Sequence, residues 1–237
     1  MDITHLHPIL LIILVILLSL TRYAFEKIVS RIFKSIPIEQ TSVQLLIRGF
    51  ILIFFNMAVL ALLGLLKGGL FAFVEPKTGV IILAVGVGFG IIMALLSILA
   101  IKAGFGGGYN SLVSVSLLDK SLTLATFILL AGPSEDIFFI GFAQNVLTPS
   151  LGWGAIIAYL VIFIAYHYAN VISGAETRKE FLGTLPVRLM VSLLLSLSFY
   201  LTGSLMYGII IHNLVDTFSY VALLYAMRQK QTQISSS

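Results

Sequence analysis

The sequence predicts an all-α, polytopic membrane protein with about seven transmembrane helices, and three observations predict it. The chain is 59% hydrophobic and only 10% charged, where a soluble domain carries about 25% charged residues. Apolar runs recur over 7–21, 43–65, 79–101, 121–147, 151–170, 187–202 and 205–227. A spanning helix needs roughly 17–25 such residues, so the sixth run is short and fits a helix buried among its neighbours. With the first residue outside, twelve of the 14 Lys and Arg fall on the inner side, leaving Lys67 and Lys77 outside. That asymmetry predicts N-out, C-in. Dropping any one span would flip every later loop and spoil it.

Taken in order, the first run, LLIILVILLSL, follows Pro8, whose missing N–H costs nothing at a helix start. It lacks the basic leader and small-residue cleavage site of a signal peptide, so it reads as a retained span. Over 24–37 the residues Phe25, Ile28, Val29, Ile32, Phe33 and Ile36 repeat at helical spacing, with Lys27, Arg31 and Lys34 on other faces. This predicts an amphipathic helix lying in the inner interface. GVGFG (86–90) in the third run offers small residues that let two backbones approach. GFGGGYNS (104–111) lacks the Gly-Lys-Ser/Thr ending of a phosphate loop and reads as a connector. The tail QKQTQISSS reads as disordered, and the whole of 1–237 as a single membrane domain.

The net charge of +4 is assigned to topology and lipid headgroups rather than to nucleic acid. The absence of cysteine excludes disulfides, thiolate catalysis, Cys-ligated zinc and lipidation of this chain on Cys.

Against this background the ionisable residues inside the runs stand out. They are Glu135 and Asp136 in the fourth, His167 in the fifth, and His212 and Asp216 in the seventh. Each costs at least about 2.5–3.5 kcal/mol on insertion scales when it sits at the centre of a membrane helix. Glu135 lies about 20 Å along its helix from Ser121, and Asp216 about 17 Å from the inner end near Met227, at about 1.5 Å per residue. Pro133 frees a backbone carbonyl and can kink the fourth helix just before the acids. His212 and Asp216 share one helix face, as do Phe163 and His167, and Glu135 shares a face with Phe139. Glu135 and Asp136 are about 100° apart, so one of the two can point straight into a common cavity. Five such groups on three helices predict a wet cleft open to the cytoplasm.

In this order, SEDIFFIGF, FIAYH and GSLMYGIIIHNLVD resemble the CAAX prenyl protease 2 (Ras-converting enzyme) and bacteriocin-processing family, also called the ABI family. Its first motif, Glu-Glu-x-x-x-Arg, is met by Glu135 and Asp136, with Ile140 where the Arg would stand. Phe-x-x-x-His is met by Phe163 and His167, and His-x-x-x-Asn/Asp by His212 and Asp216. The resemblance covers a motif core over 118–227. The missing arginine means that Asp136 finds Arg or Lys elsewhere or remains neutral.

The resemblance implies a glutamate-dependent intramembrane endopeptidase, with Glu135 as general base and His167 orienting the attacking water. His212 would face the oxyanion. Asp216 would hold His212 as a donor, and Asp136, Phe139 and Phe163 would support the site. The implied substrate is a C-terminally prenylated protein, or a lipidated or membrane-bound peptide, cut on the cytoplasmic side of a lipid bilayer (the cell membrane, if the source is prokaryotic). No cofactor is expected. Zinc is the alternative, since Glu, His and Asp are all ligand types, although no HExxH pair is present. Two other readings stay open. One is a non-catalytic immunity or scaffold protein of the same family, favoured by Ile140. The other is a proton- or ion-coupled transporter, since buried acids and histidines also make relays.

Overall fold

A computed structural model describes residues 6–35, 41–102, 116–172 and 176–235, and among these no strand occurs. The helices are α1 (Pro8–Ser35), α2 (Thr41–Leu62), α3 (Pro76–Lys102), α4 (Leu117–Leu129) and α5 (Ala131–Phe138). A π-helical segment (Phe139–Gln144) leads into α6 (Asn145–Leu151), and α7 (Gly154–Ile172), α8 (Arg178–Thr202) and α9 (Leu205–Ser235) follow. Seven stretches are long and apolar enough to cross a membrane, the fourth being the broken run Leu117–Leu151. The chain is an integral, multi-pass membrane protein.

Two expectations change. Residues 24–35 are not a separate interfacial helix but the lower turns of α1, because no Gly or Pro stands between Pro8 and Ser35 to break it. Positions 36 and 37 lie outside the described residues, as does GFGGGYNS. The tail, expected to be disordered, continues α9 as far as Ser235, again with nothing after Gly208 to stop a helix.

Local signals set the ends. Ser116 caps α4 by accepting from the Asp119 N–H at 3.0 Å. Thr177 and Glu180 form a reciprocal capping box that starts α8. Gly152 and Gly203 take positive φ (51° and 70°) at the turns that end α6 and α8, a conformation that glycine adopts without a Cβ penalty. The turn after α8 is tied across the bundle: Ser204 Oγ donates to the Ala72 carbonyl at 2.6 Å, and the Leu205 N–H to that of Leu70 at 2.9 Å.

Close helix approach follows the small residues. Gly86 and Gly90 of α3 lie against Ile211 and Phe218 of α9, where an added Cβ would collide, whereas Gly88 faces open space. The GVGFG stretch is thus a packing stripe for α9. At the centre sit α5 and the π segment, with Phe138, Phe139 and Phe142 wholly buried. Around them pack residues of α1, α2, α7, α8 and α9. The span that carries the two adjacent acids is therefore also the most enclosed.

Candidate active site

The fourth span fails as a straight helix where the acids stand. α4 ends at Leu129, and Pro133 brings no N–H to the first turn of α5. The new N-terminus is held from α9, where the Asn213 side chain accepts from the Gly132 N–H at 2.7 Å. Gly132 permits this. A Cβ there would meet the Ile209 carbonyl at 2.8 Å. α5 is thus docked on α9 one residue before Pro133, and Glu135 and Asp136 emerge from its first turns.

Glu135 turns towards α7. Its Oε2 lies 3.9 Å from His167 Nε2, too far for a direct hydrogen bond and well placed for one bridging water. The Phe163 ring meets the His167 ring edge-on at 4.4 Å between centroids, and Phe139 meets Phe163 in the same manner at 5.3 Å. The two motif phenylalanines therefore brace the imidazole.

Asp136 turns the other way and is wholly buried. Its Oδ1 pairs with His212 Nδ1 at 3.0 Å, while its Oδ2 has no hydrogen-bond partner among the described residues. The partner of this acid is thus an imidazole, where the sequence left open an Arg or Lys from elsewhere or a neutral carboxyl. Asp216, expected to be the group that holds His212, is the more distant one, with Oδ2 at 3.7 Å from Nε2 and a third of its side chain exposed. His212 accordingly stands between two carboxylates, committed to Asp136 on Nδ1 and uncommitted on Nε2.

A cavity of about 220 Å3 is lined by Glu135, His212 and Asp216, with Ser134, Tyr166 and Arg48 on its wall. Asp136 is absent from this lining, as the 100° step between neighbouring helix residues requires. The cavity lies towards the end of the bundle where α1 finishes and α2 begins, since Glu26 and Leu45 also border it. All five sequence-selected polar residues are brought together from α5, α7 and α9. Among the described residues, no group of three or more His, Asp and Glu is arranged to hold a metal ion.

Sequence reasoning missed a second layer. Arg22, counted there as an inner-side topological charge, is fully buried midway along α1. Its guanidinium lies 4.8 Å from the ring centroids of Phe139 and Tyr166 and 5.5 Å from that of Phe138. Glu26, one turn on, pairs with Arg48 of α2, accepts from the Tyr166 hydroxyl, and lies 3.5 Å from Arg22 Nη1. Asn56, an amide inside the second apolar run, is also fully buried. The available signal was an Asn inside the second apolar run; Arg22, at the edge of the first, gave none.

Residues 118–218 match the family model described as type II CAAX prenyl endopeptidase Rce1-like. No curated protein and no solved structure matches the chain. The matched stretch holds all three motifs, so the chain is similar to this family over these residues. The family is one of proteases, which supports a hydrolase at the coarse level.

Proposed function

We propose that the chain is an intramembrane endopeptidase that cuts near the C-terminus of prenylated CAAX-type proteins, or of a similar lipidated or membrane-bound peptide. The observation that carries this reading is the 3.9 Å approach of Glu135, on the wall of a polar cavity inside an apolar bundle, to His167, close enough for one water to hydrogen-bond both. A water held there gives its proton to Glu135 while its oxygen attacks the scissile carbonyl carbon. The developing oxyanion takes a hydrogen bond from His212 Nε2, which Asp136 orients through Nδ1 and which Asp216 leaves free. Fixed donors of this kind act more strongly in a dry cavity than in water. Glu135 then passes the proton to the departing amide nitrogen, so the C–N bond breaks as the new carboxyl forms. The chemistry uses only water and these side chains, and the lipid of the substrate would lie against the apolar helices beside the cavity.

The site is assigned to the cytoplasmic face because the cavity lies at the end of the bundle that the positive-inside rule places there. The test is cleavage of a farnesylated CAAX peptide by protein reconstituted in lipid. Wild type should cut, with a chelator present. Glu135→Ala should lower the rate by about 10²–10⁴-fold, the range of a general base. Cleavage unchanged in Glu135→Ala removes Glu135 as the base, and loss of cleavage on chelation hands the site to a metal. No cleavage by wild type, with proton or ion flux in the same vesicles, replaces the protease by a transporter.

A further inference from the structure

The buried guanidinium of Arg22 does something specific to the backbone beside the candidate base. Its Nη2 donates to the Ser134 carbonyl at 2.7 Å, and the Asn56 amide donates to the same oxygen at 2.8 Å. Arg22 Nε closes the triangle by donating to Asn56 Oδ1 at 3.3 Å. Two side chains from α1 and α2 thus converge on one main-chain oxygen of α5, in the residue immediately before Glu135. The remaining nitrogen, Nη1, has no hydrogen bond among the described residues and faces Glu26 at 3.5 Å. Arg22 and Glu135 are also close enough to interact electrostatically. A charge removed from water at this cost needs several compensating contacts. Three aromatic rings, one amide, one carbonyl and one carboxylate supply them.

We propose, resting on the protease reading, that Arg22 is a positioning residue for Glu135: with Asn56 it clamps the Ser134 carbonyl and fixes the turn from which Glu135 faces His167. Arg22 has no exposed surface, so it acts through that turn and not by touching substrate. The clamp answers a local weakness. α5 begins after a break in the helix at Leu130 and passes into a π segment at Phe139, so its ladder alone holds Glu135 over barely two turns. The cation stands on α1, outside the stretch that carries the motifs, while Ile140 occupies the arginine position within it. Arginine is needed rather than lysine, because only a planar fork serves Asn56 and Ser134 together while stacking on rings.

Two measurements on the full chain test this. In steady-state cleavage of a farnesylated CAAX peptide, Arg22→Met should lower kcat by about 100-fold, the cost of misplacing a reacting group by about 1 Å, with KM within twofold. Arg22→Lys, which keeps the charge and serves if the Met variant does not fold, should lower kcat by about tenfold or more. Leu11→Ala, equally buried on the same helix, should lose thermal stability and keep kcat. Either Arg22 variant with kcat within twofold of wild type, or Leu11→Ala losing kcat to the same degree, overturns the proposal. The second measurement needs no activity. In a thermal-unfolding cycle over Arg22→Met and Glu135→Gln, the double variant should fall by clearly less than the sum of the singles, and additive shifts sink the link. A wild type that does not cleave would refute the protease reading alone, and the cycle would still decide the coupling.

Discussion

The contact between Asp136 and His212 makes a quantitative demand. His212→Ala removes the one hydrogen-bond partner that a wholly buried carboxyl group has among the described residues, leaving neither oxygen a partner there. Breaking a buried pair from one side costs about 3–5 kcal/mol. At roughly 2–4 °C per kcal/mol for a domain of this size, the midpoint should fall by roughly 6–20 °C. Asp136→Ala should cost less, about 1–3 kcal/mol, because His212 keeps Asp216 within 3.7 Å and part of its ring reaches the cavity. The double variant leaves neither partner stranded. It should therefore be more stable than the sum of the singles implies, by about 0.5–3 kcal/mol. The assay is thermal unfolding in detergent followed by circular dichroism, with cleavage of the farnesylated peptide measured in parallel. Additivity within about 0.5 kcal/mol would refute the pairing. So would a His212→Ala variant as stable as wild type, since Asp136 would then have another source of compensation.

Two further outcomes follow from the packing. Gly132→Ala should lower the midpoint by roughly 2–12 °C, the overpacking cost of about 1–3 kcal/mol converted at the same scale, because its Cβ would press on the Ile209 backbone and the Asn213 side chain. Gly68→Ala, with open space around it, is the neutral control, and equal midpoints for the two would refute the docking of α5 on α9. The chain has no native cysteine, so Gly68→Cys and Lys179→Cys, both at exposed positions, report sidedness cleanly. An impermeant maleimide should label them from opposite faces of oriented vesicles, Gly68→Cys from outside, and labelling from one face would overturn the span order.

The spans were legible because a bilayer imposes length and apolarity together, and the broken fourth run still spans by composition. Glu135, Asp136, His167, His212 and Asp216 were legible for the same reason, each an expensive exception that needs company. What the sequence could not show was partnership. Spacing along α9 placed Asp216 beside His212, whereas Asp136, distant in sequence and near in space, is the closer partner. Arg22 was hidden by its position at the edge of an apolar run, where a basic residue counts as topology. Only the rings of Phe138, Phe139 and Tyr166 reveal it as interior. Removing it from the inner side leaves eleven cations against two, so the predicted orientation keeps its basis.

The same geometry joins two of the motifs. Glu135 and Phe139 are one turn apart, and so are Phe163 and His167. α5 and α7 meet so that Glu135 faces His167 while Phe139 faces Phe163, two rungs in antiparallel order. Glu135 of the polar rung borders the cavity, and the aromatic rung lies in the core. The apolar contact sets the separation of the helices, and with it the 3.9 Å between Glu135 and His167. The π segment begins at Phe139, so the aromatic rung also marks where the backbone changes its winding. A change of ring size at Phe139 or Phe163 would thus alter the gap between Glu135 and His167 without touching either residue.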